Sequence, residues 1–105
     1  MVTDGLKDDK DKIMLDLITP DCIFGIGKVL TFGAKKYKPN SWQNVKNGHD
    51  RHYAAAMRHL MSWRKGEKND KETGLSHLYH AMANLMFCAH HDKHEKVNLG
   101  DNYDI

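Results

Sequence analysis

Two stretches of this chain constrain its fold more than the rest. In 50–65 and 76–91, Ala, Met, Leu and His recur at three- and four-residue spacing, and β-branched content is low. The first predicts a helix over about 50–65, with Asp50 as its cap and Gly66 as its stop. At roughly 100° per residue, Tyr53, Ala54, Met57, Leu60 and Met61 share one face. Arg51, Arg58, Ser62 and Lys65 share another. His52, His59, Ala55, Ala56 and Trp63 form a third strip at the edge of the core. The second stretch predicts a helix from the good cap Ser76 to about His91. Its expected core stripe is Leu78, Met82, Leu85, Met86 and Ala89, while His77, His80, Asn84 and His91 fall in a narrow arc on a different face.

An earlier helix is signalled by Thr19 as cap, Pro20 at the first helical position and Asp21 at the positive dipole end. Ile23, Ile26 and Leu30 recur at helical spacing with Phe24 and Val29 beside them, Lys35 and Lys36 suit the last turn, and Pro39 stops it. Gly25, Gly27 and Gly33 each cost this helix about 1 kcal/mol relative to Ala. Such glycines point to a closely packed neighbour or to a phosphate approaching the backbone. The loop 38–49 is polar except for Trp42 and Val45, and Trp42 reads as a core anchor or as a stacking surface for a base. Seven of the first twelve residues are charged, which predicts a mobile arm over 1–12. Ile13, Leu15 and Leu17 are expected to tuck the next segment against the core. A polar tail over 93–105 has two expected pins, Val97 and Tyr103. The fold class is therefore all-α, a small bundle of about three principal helices forming one domain over 13–92. Three short helices make a thin core, so a homo-oligomer burying the Met faces is expected.

Composition sets the outer bounds. With 40% hydrophobic and 29% charged residues, the chain is globular rather than disordered. Lys and Arg total 16 against 14 acids, a balance that argues against general nucleic-acid binding. No apolar run is long enough for a membrane span, and the charged N-terminus lacks the apolar region of a secretory signal. Cys22 and Cys88, with no CxxC spacing, read as reduced buried thiols of a cytoplasmic protein. Eight histidines stand out.

The densest polar constellation is E67-x-x-D70-x-E72-x-x-x-x-H77-x-x-H80-x-x-x-N84. Glu67, Asp70 and Glu72, with His77 and His80 three apart on one helix, could hold a divalent metal, Mg²⁺ or Mn²⁺, together with nucleotide phosphates. The alternative is a solvated acidic turn, with Glu72 favouring the next helix dipole. A second constellation is basic: Lys35, Lys36, Arg58 and His59 could surround a phosphate, Arg58 through its planar fork. Arg58 fits a solvated face equally well, and His59 reads as either a satisfied core histidine or a site group. His90, His91 and His94 read as cations at a helix C-terminus.

The succession L30-T31-F32-G33-A34-K35-K36-Y37, N40-S41-W42, A54-A55-A56-M57-R58-H59-L60, W63-R64-K65-G66-E67-x-x-D70-x-E72-T73-G74-L75-x-H77-L78-x-H80-A81 and N84-L85-x-F87 resembles small phage-encoded domains. These are the dATP/dGTP diphosphohydrolase, N-terminal family, and the resemblance covers about residues 12–91. It implies an all-α, MazG-like nucleotide hydrolase that uses divalent metal to release pyrophosphate in the host cytoplasm. MazG-like enzymes use an E-x-x-E pair on one helix and an E-x-x-D pair on the next. This chain has E67-x-x-D70 in a turn and no E-x-x-E.

Two main functions follow. In a metal-dependent pyrophosphohydrolase of dATP and dGTP, Glu67, Asp70 and Glu72, with His77 or His80, hold the metal, and Arg58 and Lys35 stabilise transition-state charge. In a non-catalytic anti-defence sponge, Lys35, Lys36, Arg58, His59, His77, His80 and Asn84 hold the phosphates of a cyclic dinucleotide or a cyclic ADP-ribose. Tyr37 or Trp42 then stacks on its base. Metal-free catalysis by His59 and His80 and a purely structural helical domain complete the set.

Overall fold

The computed structural model describes residues 5–94. Three helices carry the fold: α1 (Pro20–Lys36), α2 (Gly48–Arg64) and α3 (His77–His94). One-turn 3-10 segments at Leu15–Leu17 and Ser41–Asn44 precede α1 and α2. The described residues contain no strand, only an isolated antiparallel bridge between Asn69 and Ser76. No helix among them is long and apolar enough to cross a membrane. The expected tail pins Val97 and Tyr103 lie outside the described residues.

The α1 boundaries follow the local signals. Thr19 occupies the N-cap, although its carbonyl rather than its hydroxyl accepts the first amides, those of Cys22 and Ile23. α2 begins at Gly48, two residues before Asp50, because the Asn47 carbonyl takes the Arg51 amide at 3.0 Å. Asp50 therefore sits in the first turn, where its charge suits the dipole, and is not the cap. Gly66, at φ +105°, ends α2 in a conformation that favours glycine. The Ser76 hydroxyl accepts the Leu78 amide at 3.1 Å and starts α3, which runs to His94, past the expected end at His91.

α3 is the central element. α2 packs along it and α1 packs on it at a second place, while α1 and α2 scarcely touch. Gly25 makes the α1 contact possible, since a Cβ there would lie 2.5 Å from the Tyr79 ring. Of the two sequence readings of these glycines, close packing holds at Gly25, whereas Gly27 and Gly33 face open space. Gly48 does the same for α2, where a Cβ would lie 3.0 Å from His91 Nε2.

The core differs from the expected stripes. Among the described residues, the buried apolar side chains are Ala56, Ala81, Ala83 and Phe87, and the buried polar ones are His52, His77, His80, Asn84 and His91. Tyr53, Met57, Met61, Leu85 and Met86 are exposed instead. Small residues at 48, 56, 81 and 83 let α2 and α3 approach on the histidine strip, and the larger apolar stripes turn outward. Ile13, Leu15 and Leu17 do not tuck in either; they are 85%, 66% and 71% exposed, because their 3-10 turn closes on itself without a neighbour. The Cα radius of gyration is 18.0 Å, against about 13 Å for a compact domain of this length.

Trp42 anchors the loop before α2. Its ring stacks on Phe87 at 4.4 Å, and its carbonyl accepts the His52 Nε2 hydrogen bond at 3.1 Å. His52 in turn stacks on His91 at 5.5 Å. His91 is thus a buried packing residue of the α2–α3 seam, although it stands in the last turns of the helix.

Burial pushes the His52 and His80 imidazoles below their ordinary value. The unfolded chain then takes up protons that the fold resists, so the stability these groups contribute is complete above pH 6.5 and is lost as pH falls below it. Asp70 is also held below its ordinary value, so its contribution is lost only at lower pH. The melting temperature is expected to drop by at least about 4 °C between pH 7.5 and 5, the shift that ~1 kcal/mol produces in a domain of this size. A melting curve that is flat across that interval contradicts the buried neutral histidines.

Candidate functional site

Because α1 runs apart from α2, a cleft of about 1250 Å³ opens between them above α3. One wall is the C-terminal half of α1 with Lys36 and Tyr37. The other is α2 with Arg51, His52, Arg58 and His59, and the floor is His80, Asn84 and Phe87 of α3. Trp42 lies at one end, and Asp70, Glu72 and Thr73 of the α2–α3 turn lie on its margin. The volume exceeds the roughly 300–1,000 Å³ of common small-molecule sites, so a nucleotide fits.

The chemistry concentrates where α2 meets the start of α3. His59 Nδ1 and His77 Nδ1 are 2.8 Å apart, so one nitrogen donates and the other accepts. The His59 ring stacks on His80 at 4.5 Å and 12°. His80 Nε2 meets the Thr73 hydroxyl at 2.7 Å, and that hydroxyl also lies 3.2 Å from Asp70 Oδ2. The same carboxylate oxygen accepts the backbone amides of Thr73 at 2.9 Å and Glu72 at 3.0 Å. The turn thus fixes Asp70, and Asp70 with Thr73 fixes His80.

Burial, with the nearby His80 imidazole, brings His59 down to about 4 despite the opposing pull of Asp70. Burial also lowers His80, against the same carboxylate. Desolvation by itself would raise Asp70; the Thr73 amide and the neighbouring imidazoles outweigh it and hold Asp70 below its ordinary range. At neutral pH His59 and His80 are therefore neutral imidazoles beside the ionised Asp70, protonation states compatible with a metal ion. One ligand atom each from His59, Asp70 and His77 lie within 4.8 Å of one another. His77 is buried, and its Nε2 has no hydrogen-bond partner. Its nearest acid is Glu67, at 3.6 Å on the side away from His59.

Nine of the sequence candidates share the cleft: Lys36, Tyr37, Trp42, Arg58, His59, Asp70, Glu72, His80 and Asn84. His77 lies behind His59 rather than in the cleft wall, and Glu67 lies behind His77. Lys35 lines a separate pocket of about 280 Å³, beside Lys28 and Leu75. Glu72 forms an ion pair with Lys36 at 3.0 Å that ties the turn to α1, and both side chains are largely exposed. Trp42 both anchors and lines the cleft. Sequence reasoning missed two residues. Arg51 lines the cleft, although its helical face suggested solvent. Thr73 bridges Asp70 and His80; the D70-x-x-T73 spacing before a helix, a turn that the aspartate closes, is the signal that could have found it.

The model of the family dATP/dGTP diphosphohydrolase, N-terminal, matches residues 2–100. A protein of Salmonella phage PMBT28 named dATP/dGTP diphosphohydrolase is 39% identical over 83 residues, which are 79% of this chain and 28% of that protein. The chain therefore spans less than a third of the relative's length. No solved structure matches. With the match extending over nearly the whole sequence, the chain belongs to the dATP/dGTP diphosphohydrolase, N-terminal family.

Proposed function

We propose that this chain is the nucleotide-handling domain of a metal-dependent pyrophosphohydrolase acting on dATP and dGTP, working in the cytoplasm of a phage host. One observation carries the reading: three metal-type donors, His59, Asp70 and His77, converge where a cleft of nucleotide size also presents Arg58 and Arg51. The donors fit a divalent ion, because His59 and the buried His77 bring their Nδ1 atoms to 2.8 Å beside Asp70, and an ion would take both once each ring carries its proton on Nε2. Two imidazoles and one carboxylate suit Mn²⁺ and the later first-row ions better than Mg²⁺. When bound there, the ion supplies Lewis-acid polarisation of a phosphoryl oxygen and a water of lowered pKa.

The chain's own residues do the rest. Arg58, next to His59 in sequence and exposed on the cleft wall, grips phosphate oxygens with its planar fork and offsets the developing charge. Arg51 extends that positive wall by two helical turns. Tyr37 and the outer part of Trp42 flank a base. Glu67 acts behind the donors, its carboxylate 3.6 Å from His77 Nε2 and attracting a proton at that nitrogen rather than binding the ion itself.

A second reading, a sponge that holds a cyclic nucleotide signal unchanged, is favoured by the scarcity of acids. The described cleft residues include only Asp70 and Glu72 as carboxylates, and Glu72 is tied to Lys36. Mass spectrometry of bound and free fractions, after incubation with dATP, dGTP and cyclic nucleotides in Mn²⁺, separates the two. The hydrolase reading expects monophosphate and pyrophosphate. Asp70→Asn or His59→Ala should then lower turnover by about 100-fold or more, since the ion stabilises charge by several kcal/mol. Glu67→Gln should weaken Mn²⁺ binding by only about 10–100-fold. A cyclic nucleotide recovered intact from the protein supports the sponge and overturns the hydrolase.

We also propose that the chain self-associates through its outward apolar faces. Ile23 and Phe24 on α1, Met57 and Met61 on α2, and Leu85 and Met86 on α3 are all exposed, against four buried apolar side chains among the described residues. Light scattering should give a mass of at least two chains, and Met57→Glu with Met61→Glu should shift it toward one. A monomer at micromolar concentration contradicts this.

A further inference from the structure

The cleft draws on histidines at the start of α3, but the helix carries others at its end. His90 and His94 are one turn apart, with ring centroids 4.5 Å apart and planes tilted by 37°. His90 is half-buried, His94 is exposed, and neither lines the cleft. Among the described residues, no hydrogen bond or ion pair ties either ring. The neighbouring carboxylate, Asp92, is occupied by His49 Nε2 at 2.8 Å.

We propose that His90 and His94 form a second, exposed site for a divalent first-row transition ion of the Cu²⁺ or Zn²⁺ class. Side chains four residues apart on a helix lie on the same face, so one ion can bridge both imidazoles while water completes its coordination. Imidazole is a preferred ligand of these ions, and the partial negative charge at a helix C-terminus favours a cation in the last turn. The ion fastens that turn of α3, and through it the platform on which Trp42 rests. The cleft donors play no part in this site, so it stands or falls independently of the proposed activity.

Trp42 is a built-in reporter, because its ring meets the His90 ring edge-on at 4.9 Å. The chain has two tryptophans, and Trp63→Phe leaves Trp42 as the sole indole. Titrating that protein with Cu²⁺ alone should quench Trp42 fluorescence in a saturable phase at micromolar metal, and excess Zn²⁺ should reverse it. His94→Gln should weaken this phase by about 100-fold or more, as the effective concentration one ligand lends the other is lost. Far-UV circular dichroism confirms that the variant folds, and its nucleotide chemistry should equal that of the parent. The site is overturned if no saturable quenching occurs below millimolar Cu²⁺. It is overturned equally if the tight phase survives both His94→Gln and His90→Gln.

Discussion

The seam between α2 and α3 holds those helices together, and α1 joins the fold mainly through α3. The seam is built from imidazoles and small residues rather than from leucine. Gly48, Ala56, Ala81 and Ala83 leave little side chain between the helices, and His52, His77, His80 and His91 fill the space. A buried polar ring costs free energy unless its nitrogens are satisfied. Partners are built in: the Trp42 carbonyl for His52, the Thr73 hydroxyl for His80, and the facing nitrogens of His59 and His77 for each other. The same burial holds His52, His59 and His80 neutral. What seals the two helices together is thereby also a set of lone pairs at neutral pH.

The cleft follows from the placement of α1. Gly25 lets α1 press against the Tyr79 ring, on a part of α3 that α2 does not cover. From there α1 runs apart from α2, and the Lys36–Glu72 ion pair links its far end to the α2–α3 turn. An exposed pair of this kind contributes little stability. Its position matters more, since it lies on the margin of the cleft beside Asp70 and Thr73. The turn thus serves twice, holding Asp70 by three hydrogen bonds from its own residues and closing one side of the site.

Much of this was legible in the sequence, and the failures share a cause. The α1 limits followed from Thr19, Pro20 and Pro39, and the narrow arc of His77, His80, Asn84 and His91 was visible from helical spacing alone. The choice of which face is buried was not. Periodicity marked the Met57–Met61 and Leu85–Met86 stripes as core, but a stripe does not name its partner, and within one chain the small residues selected the histidine face. Similarly, E67-x-x-D70 looked like one carboxylate pair. The isolated bridge between Asn69 and Ser76 folds the turn so that Asp70 faces the cleft while Glu67 passes behind His77. Long-range geometry of that kind leaves no mark in local spacing.

We propose that imidazoles of the α2–α3 seam hold a divalent metal at the edge of a nucleotide cleft. Pulsed electron paramagnetic resonance of the Mn²⁺-loaded protein tests it most directly, because the hyperfine couplings identify the ligand nuclei. Nitrogen coupling of imidazole type is expected, retained when a deoxynucleoside triphosphate is added and diminished in His59→Ala. A spectrum with couplings only to water protons and nucleotide phosphorus would contradict it, placing the metal with the nucleotide and leaving the histidine seam a purely structural device.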